Sequence, residues 1–419
     1  MKVLGLVVEY NPFHNGHLYH IKEAKKITGA KYVVCVMSGN FVQRGGPAII
    51  NKWARAKAAL LSGVDLVIEL PVVYALSSAE YFAYGAVKIL NDIGIVDYLC
   101  FGSESGEIKP LDDIAHILYD EPLLYKSLLK NELKKGLSYP VARNQALMKY
   151  FHEKKDFYPD IDSLLNKSNN ILGIEYLKAL KRLNSDIIPV TIKRINNNYN
   201  TEEITGNISS ATAIRKHLLA LENSSLQNVL DTTLPKFSYN ILNKEFSSGR
   251  GPVIDSCFYH IISAQIRKMN IDHLKEIVYI SEGLENRIKN AADSSGTYSE
   301  LIDKICTKRY TTTRIQRILM SIMIGITSCD INNFNLHFGP QYARVLGFNE
   351  SGKFLMSLIK KNSIIPLILK TADFINSCNP LFKKMLELEC ISTDLYVLGY
   401  KNPKYRKAGQ EFTQNIIKI

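Results

Sequence analysis

The chain has 419 residues, of which 46% are hydrophobic and 22% charged, and its formal net charge is +12. This composition is typical of a folded protein with a buried core and excludes a disordered or fibrous chain. At about 150 residues per domain, the length predicts two to three domains. The basic excess predicts an anionic partner and leaves open whether that partner is nucleic acid, a membrane surface or a nucleotide.

The sequence predicts neither a membrane span nor a secretory leader. Apolar stretches such as 315–327 are interrupted by polar residues before they reach the roughly 18 residues that a span needs. The seven cysteines are an odd number without a CxxC pair, and several lie in apolar runs. We therefore expect reduced, mostly buried thiols, no structural zinc site and a cytoplasmic location.

The first 220 residues alternate between strand-like and helix-like segments. Runs rich in Val and Ile predict strands over 2–8, 31–37, 65–70, 97–101 and 187–193. Helical spacing and capping residues predict helices over 17–28, 52–61, 77–93, 109–150, 170–183 and 210–221. Continuous apolar strands separated by helices are typical of a parallel sheet covered on both faces, so we expect an α/β fold here.

The second half of the chain has a different pattern. From about residue 222, β-branched runs become scarce and helical patterns follow one another to residue 327, while 364–372 and 394–398 fit a strand or a helix equally. An Asn-rich segment at 196–200 predicts a surface loop. We divide the chain into 1–220 and a mainly helical 221–419, which carry net charges of +5 and +7.

The first predicted strand runs into the segment EYNPFHNGH, which ends at His17 and leads into a helix. In α/β sheets, ligands bind where strands end and helices begin, and a helix N-terminus suits phosphate. His14 and His17 are three residues apart, so both can face one side of the first turn. Gly16 lets a phosphate approach the backbone. The segment therefore predicts a phosphate site in which two imidazoles stabilise charge on a triphosphate; alone, an HxxH pair is as often two solvated histidines.

A second helix start, ISSATAIR, follows the fifth predicted strand. Ser210 and Thr212 fit cap or first-turn positions that bind phosphate, and Arg215 lies one turn further on. An ordinary capped helix would have the same pattern. Two loops also lie at predicted strand ends: Gly102 follows the fourth strand, and a loop with Ser38, Gly39 and Arg44 follows the second. That loop either shapes a pocket for a small carboxylate or holds the nucleoside. Lys52 and Arg55, on the next helix, either add positive charge to the site or are solvated.

A basic stretch, KICTKRYTTTRIQR, spans residues 304–317 and contains no acidic residue. Arg and Lys contact phosphates, and Tyr can stack on an unpaired base, so the stretch favours RNA binding over a solvated basic helix face. Its candidate RNA-binding residues are Lys304, Lys308, Arg309, Tyr310, Arg314 and Arg317. The HxE and PCxxC signatures of zinc deaminases do not occur, which excludes hydrolytic cytidine chemistry of that kind.

These motifs together resemble a known family. EYNPFHNGH resembles the HxGH signature of HIGH-type nucleotidyltransferases, and ISSATAIR resembles their second signature, with Ala211 replacing one residue. VMSGNFVQRGGPAIINKWARAKAALLSGVDLVIELP, FGSE, NNILGIEYLKAL and YARVLGF are similar to the tRNA(Met) cytidine acetate ligases, so that the resemblance covers nearly the whole chain. It implies that 1–220 is a Rossmann-like nucleotidyltransferase domain and that 221–419 binds tRNA.

The resemblance also implies a set of ATP contacts. His14, His17 and Arg215 are the implied catalytic residues, and one of Asn169 and Asn170 contacts ATP together with Arg194. The full set of implied ATP-binding residues is Val7, Val8, Glu9, Tyr10, Asn11, Pro12, Phe13, His14, Asn15, Gly16, His17, Leu18, Tyr19, His20, Gly102, Asn169, Asn170, Arg194, Ser210 and Thr212. Mg²⁺ is expected to accompany the triphosphate, and no dedicated metal site is predicted.

The implied reaction has two steps. ATP activates acetate as acetyl-adenylate, and the acetyl group then passes to N4 of the wobble cytidine in the anticodon arm of elongator tRNA(Met). No protein partner and no membrane are expected. Two alternatives remain at this point: a nucleotidyltransferase that leaves AMP on a small phosphorylated substrate, and a non-catalytic RNA-binding protein that uses nucleotide as a structural ligand.

Overall fold

The computed structural model describes residues 1–154, 161–194, 209–220 and 232–419. The predicted loop at 196–200 lies outside these residues, as does the last residue of the predicted helix 210–221.

One sheet runs through the molecule. Its strands are β1 (Val3–Val8), β2 (Tyr32–Ser38), β5 (Leu66–Leu70), β6 (Tyr98–Ser103), β7 (Ile188–Lys193), β8 (Ala343–Phe348), β9 (Leu367–Ile368) and β10 (Ile417–Lys418). Their order is β10-β8-β5-β2-β1-β6-β7, with β9 paired to β8, and the five strands predicted from the sequence are mutually parallel. The predicted α/β fold with a parallel sheet is confirmed. β3 (Phe41–Val42) and β4 (Gly46–Pro47) form a separate antiparallel hairpin.

β1 lies between β2 and β6, so the chain builds the sheet in one direction through β2 and β5 and then returns to add β6 and β7. Leu6 of β1 pairs with Cys35 on one side and Cys100 on the other. Such a reversal of strand order opens a crevice at the carboxyl ends of the strands. The HxGH segment follows β1 and Gly102 ends β6, and thus both border this crevice.

Helices cover both faces of the sheet in the first half of the chain. They are α1 (Asn15–Thr28), α2 (Lys52–Leu61), α3 (Val72–Ala75), α4 (Ala79–Asp92), α5 (Ile108–Asp120), α6 (Leu123–Lys134), α7 (Tyr139–Lys154), α8 (Ile161–Asn166), α9 (Ser168–Arg182) and α10 (Ala211–Ala220). Alternate residues of the strands belong to different cores: Leu4 and Leu6 pack with the helix α1 side, whereas Val34 and Val36 pack with the α4 side.

The second half is mainly helical, as predicted. Its helices are α11 (Lys236–Ser247), α12 (Tyr259–Lys268), α13 (Ile271–Glu276), α14 (Leu284–Ser294), α15 (Tyr298–Ile305), α16 (Thr312–Ile324), α17 (Ser328–Leu336), α18 (Glu350–Asn362), α19 (Pro380–Tyr396) and α20 (Gln410–Thr413). Short 3₁₀ turns span Asp255–Phe258, Thr371–Asp373, Val397–Gly399 and Pro403–Tyr405.

Three details differ from the sequence predictions. The predicted continuous helix 109–150 is broken twice, at Glu121 (φ 46°) and at Gly136 (φ 77°), because both adopt the left-handed conformation that ends a helix. Of the two ambiguous segments, 364–372 contains β9 and a 3₁₀ start, whereas 394–398 is helical. The second half also completes the sheet: β8 pairs antiparallel to β5, and β10 pairs parallel to β8. The functional division at residue 220 stays a prediction.

A group of five buried charged side chains, here called the ionic cluster, joins the two halves of the chain. Lys52 of α2 lies 2.6 Å from Glu69 Oε1 of β5, 3.2 Å from Glu389 Oε1 of α19 and 2.5 Å from Glu411 Oε1 of α20. Arg344 of β8 pairs with Glu69 at 3.0 Å and also with Glu411. Lys52 is therefore neither solvated nor part of a phosphate site; it is a fully buried structural cation.

Arg55 is likewise buried, and its guanidinium donates to backbone carbonyls, including those of Glu9 at 2.6 Å and Ser38 at 3.0 Å. It fixes the ends of β1 and β2 relative to each other. The cysteine prediction is partly corrected: all seven thiols are free, but only Cys35, Cys100 and Cys390 are buried, because the others lie at helix ends or on exposed faces.

Candidate active site

A cavity of about 620 Å³ opens at the crevice between β1 and β6. Seventeen of the residues predicted for the site line it: Val7, Val8, Glu9, Tyr10, Asn11, His14, Gly16, His17, Tyr19, His20, Arg44, Gly102, Asn169, Arg194, Ser210, Thr212 and Arg215. The first and second signatures thus meet in one cavity although about 200 residues separate them in the chain.

The two motif histidines stack at the N-terminus of α1, with ring centroids 3.7 Å apart. Gly16 N–H donates to His14 Nδ1 at 3.1 Å, and His14 N–H donates to His17 Nδ1 at 3.2 Å. Because each Nδ1 accepts a backbone hydrogen bond, each neutral ring carries its proton on Nε2. Both imidazoles therefore present an N–H donor, as phosphoryl oxygens require.

Both rings are neutral at pH 7. Burial lowers the pKa of His14 to about 3, with further lowering by Arg194 and Arg215. Burial also lowers the pKa of His17 well below its usual value, and His14 and Arg194 add to this effect. The imidazoles thus act as hydrogen-bond donors in a site whose permanent positive charge comes from arginines.

The second signature forms the N-terminus of α10. Ser210 Oγ caps the helix by accepting from Ala213 N–H at 3.0 Å, as the cap prediction expects. Arg215 donates from Nη1 to the Asn11 carbonyl at 2.7 Å and from Nη2 to Thr212 Oγ1 at 3.2 Å. Arg215 thereby ties the second signature to the loop of the first, and the first residues of α10, Ala211 and Thr212, line the same cavity.

The two asparagines before α9 have different surroundings. Asn169 lines the cavity, donates to Glu104 Oε1 at 2.7 Å and accepts from Arg194 at 3.3 Å. Asn170 is buried behind it, where its Oδ1 accepts from the backbone N–H groups of Glu104 at 2.9 Å and Ser105 at 3.2 Å. Of the pair, the structure therefore places Asn169 at the cavity and gives Asn170 a role in holding the loop after β6.

Some predicted ATP residues do not line the cavity. Pro12, Phe13, Asn15 and Leu18 lie in the same segment but outside the cavity lining. Phe13 packs edge-on against Tyr10, with centroids 4.7 Å apart, and its carbonyl accepts from Ser238 at 2.7 Å. Asn15 donates to the Thr232 carbonyl at 2.9 Å. These residues hold the loop in its conformation.

The loop predicted for the acetate pocket is divided in the same way. Arg44, on the β3–β4 hairpin, lines the cavity, but Ser38 and Gly39 do not. A Cβ on Gly39 would lie 2.6 Å from Glu69 Oε1, so this glycine gives space to the ionic cluster. Ser38 is fully buried, and its carbonyl accepts from Arg55. The prediction for Ser38 and Gly39 is therefore corrected to a structural role.

Several lining residues escaped the sequence analysis. The hairpin adds Val42, Gln43, Gly46 and Pro47, and the second half adds Val253, Ile254, Asp255, Thr313 and Gln316. Gln43 N–H donates to Glu9 Oε1 at 2.7 Å, which places the hairpin over the end of β1. Thr313 and Gln316 belong to the basic stretch but are not among its candidate RNA-binding residues. Asp255 follows a Gly-Pro pair and matches no motif.

The basic stretch spans the end of α15, a loop and the start of α16. Three of its cations have partners close by: Lys304 donates to Glu300 at 2.7 Å, Arg314 to the Tyr279 carbonyl at 2.9 Å and Arg317 to the Gln43 carbonyl at 3.3 Å. Lys308 and Arg309 are exposed, and Arg309 pairs with the exposed Glu282. The stretch thus presents fewer free charges than its composition suggested.

Tyr310 does not have the environment that base stacking requires. Its side chain is 8% exposed, and the guanidinium groups of Arg314 and Arg309 lie 5.2 Å and 6.0 Å from its ring centroid. The expectation that Tyr310 stacks on an unpaired base is corrected, because the ring is already packed between core and arginines.

Comparison with known proteins identifies the family. The chain matches the HIGH Nucleotidyl Transferase family over residues 1–411. It is 63% identical over 417 residues to the tRNA(Met) cytidine acetate ligase of Acetivibrio thermocellus, with 100% of both chains covered. The chain belongs to the tRNA(Met) cytidine acetate ligase family. A second tRNA(Met) cytidine acetate ligase, from Halothermothrix orenii, is 45% identical, again over 100% of both chains.

Solved structures agree with this family assignment. The crystal structure of Thermotoga maritima TmcAL bound with alpha-thio ATP matches with a TM-score of 0.93 and 38% identity over 100% of both chains. Its apo form matches with a TM-score of 0.95. An ATP analogue thus binds to a protein of the same fold and family. Among the described residues, no helix is both long and apolar enough to span a membrane. The same residues contain no group of three or more His, Cys, Asp or Glu side chains that could hold a metal ion.

Proposed function

We propose that this chain activates acetate with ATP and transfers the acetyl group to N4 of the wobble cytidine of elongator tRNA(Met). The observation that carries the proposal is the pair of neutral histidines at the head of α1, in one cavity with Arg194 and Arg215. Aligned N–H donors and fixed cations at a helix N-terminus suit a triphosphate whose α-phosphorus is attacked.

In the first step, an acetate oxygen attacks the α-phosphorus of ATP and pyrophosphate leaves. Acetate is already a nucleophile at neutral pH, so the site has to position it and stabilise charge rather than remove a proton. His14 and His17 donate Nε2–H bonds to phosphoryl oxygens, while Arg215 and the N-terminus of α10 hold the outgoing phosphates. Mg²⁺ bound to the triphosphate would add charge stabilisation, and the phosphates rather than a dedicated protein site would hold it. Arg44 is the cavity cation that we assign to the acetate carboxylate.

In the second step, the cytosine amine attacks the acyl carbon and AMP leaves. An exocyclic amine of cytosine is a weak nucleophile, which explains the need for an activated acyl donor. We assign tRNA binding through the anticodon arm mainly to residues 221–419, with Lys308 and Arg309 as exposed phosphate contacts. The start of α16 contributes both to the basic stretch and to the cavity wall, through Thr313 and Gln316. A cytoplasmic location fits this substrate.

Two assays test the proposal with the purified protein. ATP–pyrophosphate exchange should depend on acetate, and incubation with ATP, labelled acetate and total tRNA should yield labelled acetylcytidine after digestion of the RNA. Exchange that does not depend on acetate would contradict the proposal. Label from AMP retained in a stable small product would support transfer of AMP instead. Binding of tRNA that depends on nucleotide, without any acetylation, would support a non-catalytic role for the nucleotide.

A further inference from the structure

Asp255 is a carboxylate in the cavity wall that the first step does not use. It follows the Gly251-Pro252 pair, begins a 3₁₀ turn and lines the cavity. Its Oδ1 is buried and accepts no hydrogen bond from any described residue. A Cβ built on Gly46 would lie 2.7 Å from this oxygen, so the hairpin packs closely against the Asp255 carboxylate.

An unpartnered buried carboxylate oxygen is costly, and it is explained if a ligand supplies the donor. Glu9, which is the second acidic residue among the described lining residues, already accepts Gln43 N–H. Glu9 thus has a partner within the chain at Oε1, whereas Oδ1 of Asp255 has none among the described residues. Phosphate and acetate carry no donor at neutral pH. Donors are carried by the adenine and ribose of ATP and by the cytosine amine, which has two N–H groups. Asp255 shares its part of the cavity wall with Thr313 and Gln316 of the half that we assign to tRNA, which favours the cytosine.

The surroundings of Asp255 belong to the part of the chain that we assign to tRNA. Thr313 and Gln316 of α16 line the same cavity, and the adjacent Arg317 anchors the hairpin through the Gln43 carbonyl at 3.3 Å. A base that enters this cavity from the tRNA side is enclosed by α16, the hairpin and the turn that carries Asp255. Its amine and the acyl-adenylate held by the two signatures then share one cavity.

The ionisation of Asp255 suits a proton acceptor. Burial raises the pKa of its carboxyl to about 6, and the Arg215 guanidinium acts against this rise. The neighbouring Tyr298 of α15 is buried, and burial and the Asp255 charge raise the pKa of its phenol, which therefore stays neutral. At pH 7 Asp255 is thus ionised yet more basic than an ordinary carboxylate, as a general base should be.

We propose that Asp255 accepts an N4–H of the target cytosine and removes its proton during acetyl transfer. As the N4–carbon bond forms and the bond between the acyl carbon and the AMP oxygen breaks, the electron pair of the latter leaves with AMP and one N4 proton moves to Asp255. The proton then passes to water. This inference rests on the proposed function, because it requires acetyl-adenylate and a cytidine as substrates.

Asp255→Asn tests the inference because it keeps the shape but cannot take the proton. The variant should retain acetate-dependent ATP–pyrophosphate exchange within about twofold, which also demonstrates folding. Single-turnover transfer from preformed acetyl-adenylate to tRNA should fall by about 10²–10⁴-fold. Asp272→Asn, an exposed change on α13, is the matched control and should leave both rates unchanged.

The pH profile provides a second readout that a structural role would not give. In the native protein, the transfer rate should decrease about tenfold per unit as the pH falls below about 6, and in Asp255→Asn it should be flat over the same range. Transfer at the native rate in the variant, or an equal loss in exchange and transfer, would overturn the role of Asp255. If the native protein neither exchanges with acetate nor acetylates tRNA, the proposed function fails and the inference fails with it.

Discussion

The cavity and the ionic cluster both bury charged side chains, but they partner them differently. In the ionic cluster, Lys52 and Arg344 together contact all three carboxylates, and the tightest contacts of Lys52 are 2.5 Å and 2.6 Å. In the cavity, the Oδ1 atom of Asp255 has no hydrogen-bond partner among the described residues. His14 and His17 also line the cavity, and each accepts a backbone hydrogen bond at Nδ1, which leaves its proton on Nε2. Burial of charge is common to both regions, whereas incomplete pairing is found at the cavity.

The difference also appears in the ionisation of the two regions. In the ionic cluster, three acidic groups face two cations: Arg344 and Lys52 lower the pKa of Glu411 to about 2, and burial together with the Glu389 charge raises the pKa of Glu69 to about 8. The charged groups of the cluster therefore form their ion pairs with one another. In the cavity, burial lowers the histidine pKa values, and the neighbouring Arg194 lowers them further. Buried polar groups without a partner in the chain indicate a site that binds a ligand, whereas buried charges paired with each other indicate a structural role.

The largest expected effect comes from disrupting the ionic cluster. Lys52→Met leaves three buried carboxylates with one cation, so the free energy of unfolding should fall by about 3–5 kcal/mol. Chemical denaturation measures this change. Lys57→Met is the matched control on the same helix, and because Lys57 is exposed it should shift stability by no more than about 0.5 kcal/mol. A loss for Lys52→Met as small as that of the control would contradict the structural role.

The second-largest expected effect is on the rate of acetate activation. His17→Ala removes one N–H donor from the cavity, and acetate-dependent ATP–pyrophosphate exchange should slow by about 10²–10³-fold. Binding of tRNA, measured by filter binding, should be unchanged because the basic stretch is intact. His116→Ala, a change of an exposed histidine on α5, should leave exchange at the native rate. Stability like that of the native protein together with lost exchange would separate this region from the ionic cluster.

Features marked by local sequence patterns could be predicted, whereas the ionic cluster could not. The parallel strands and the HxGH turn are local patterns: apolar runs, a capping histidine and a glycine adjacent in the chain. The ionic cluster depends on residues as far apart as Lys52 and Glu411, so no local pattern marks it. Lys52 was expected either at the nucleotide or in solvent, since a charged residue on a helix has no other local explanation. Long-range pairing decided its role.

The residues of the cavity could also be predicted only where a local motif marks them. The residues of the two signatures could be assigned to one cavity because they follow β1 and β7, the strands on either side of β6. Asp255 and Gln316 could not, because they reach the cavity through packing of the second half against the β3–β4 hairpin. Likewise β8 joins the sheet antiparallel to β5, a pairing that depends on a partner about 275 residues away.

A smaller effect tests the corrected role of Tyr310. Because the ring is buried, Tyr310→Leu should lower the free energy of unfolding by about 1–3 kcal/mol. Affinity for tRNA at a temperature where the variant stays folded should change by no more than about twofold. Stacking on a base would instead contribute about 1–3 kcal/mol of binding. Loss of tRNA affinity with unchanged thermal stability would restore the stacking role.

The smallest effect concerns a charge that belongs to neither region. Lys308 is exposed in the loop before α16, so its side chain is accessible to a partner. If it neutralises one RNA phosphate, Lys308→Ala should weaken tRNA binding a few-fold at low salt and lower the slope of log K against log salt by about 1. Lys275→Ala, an exposed lysine on α13, should leave the slope unchanged. Because the slope counts released ions rather than stability, it distinguishes a contact with RNA from a change in folding. An equal, small loss in both variants would reduce Lys308 to a contributor of general positive charge.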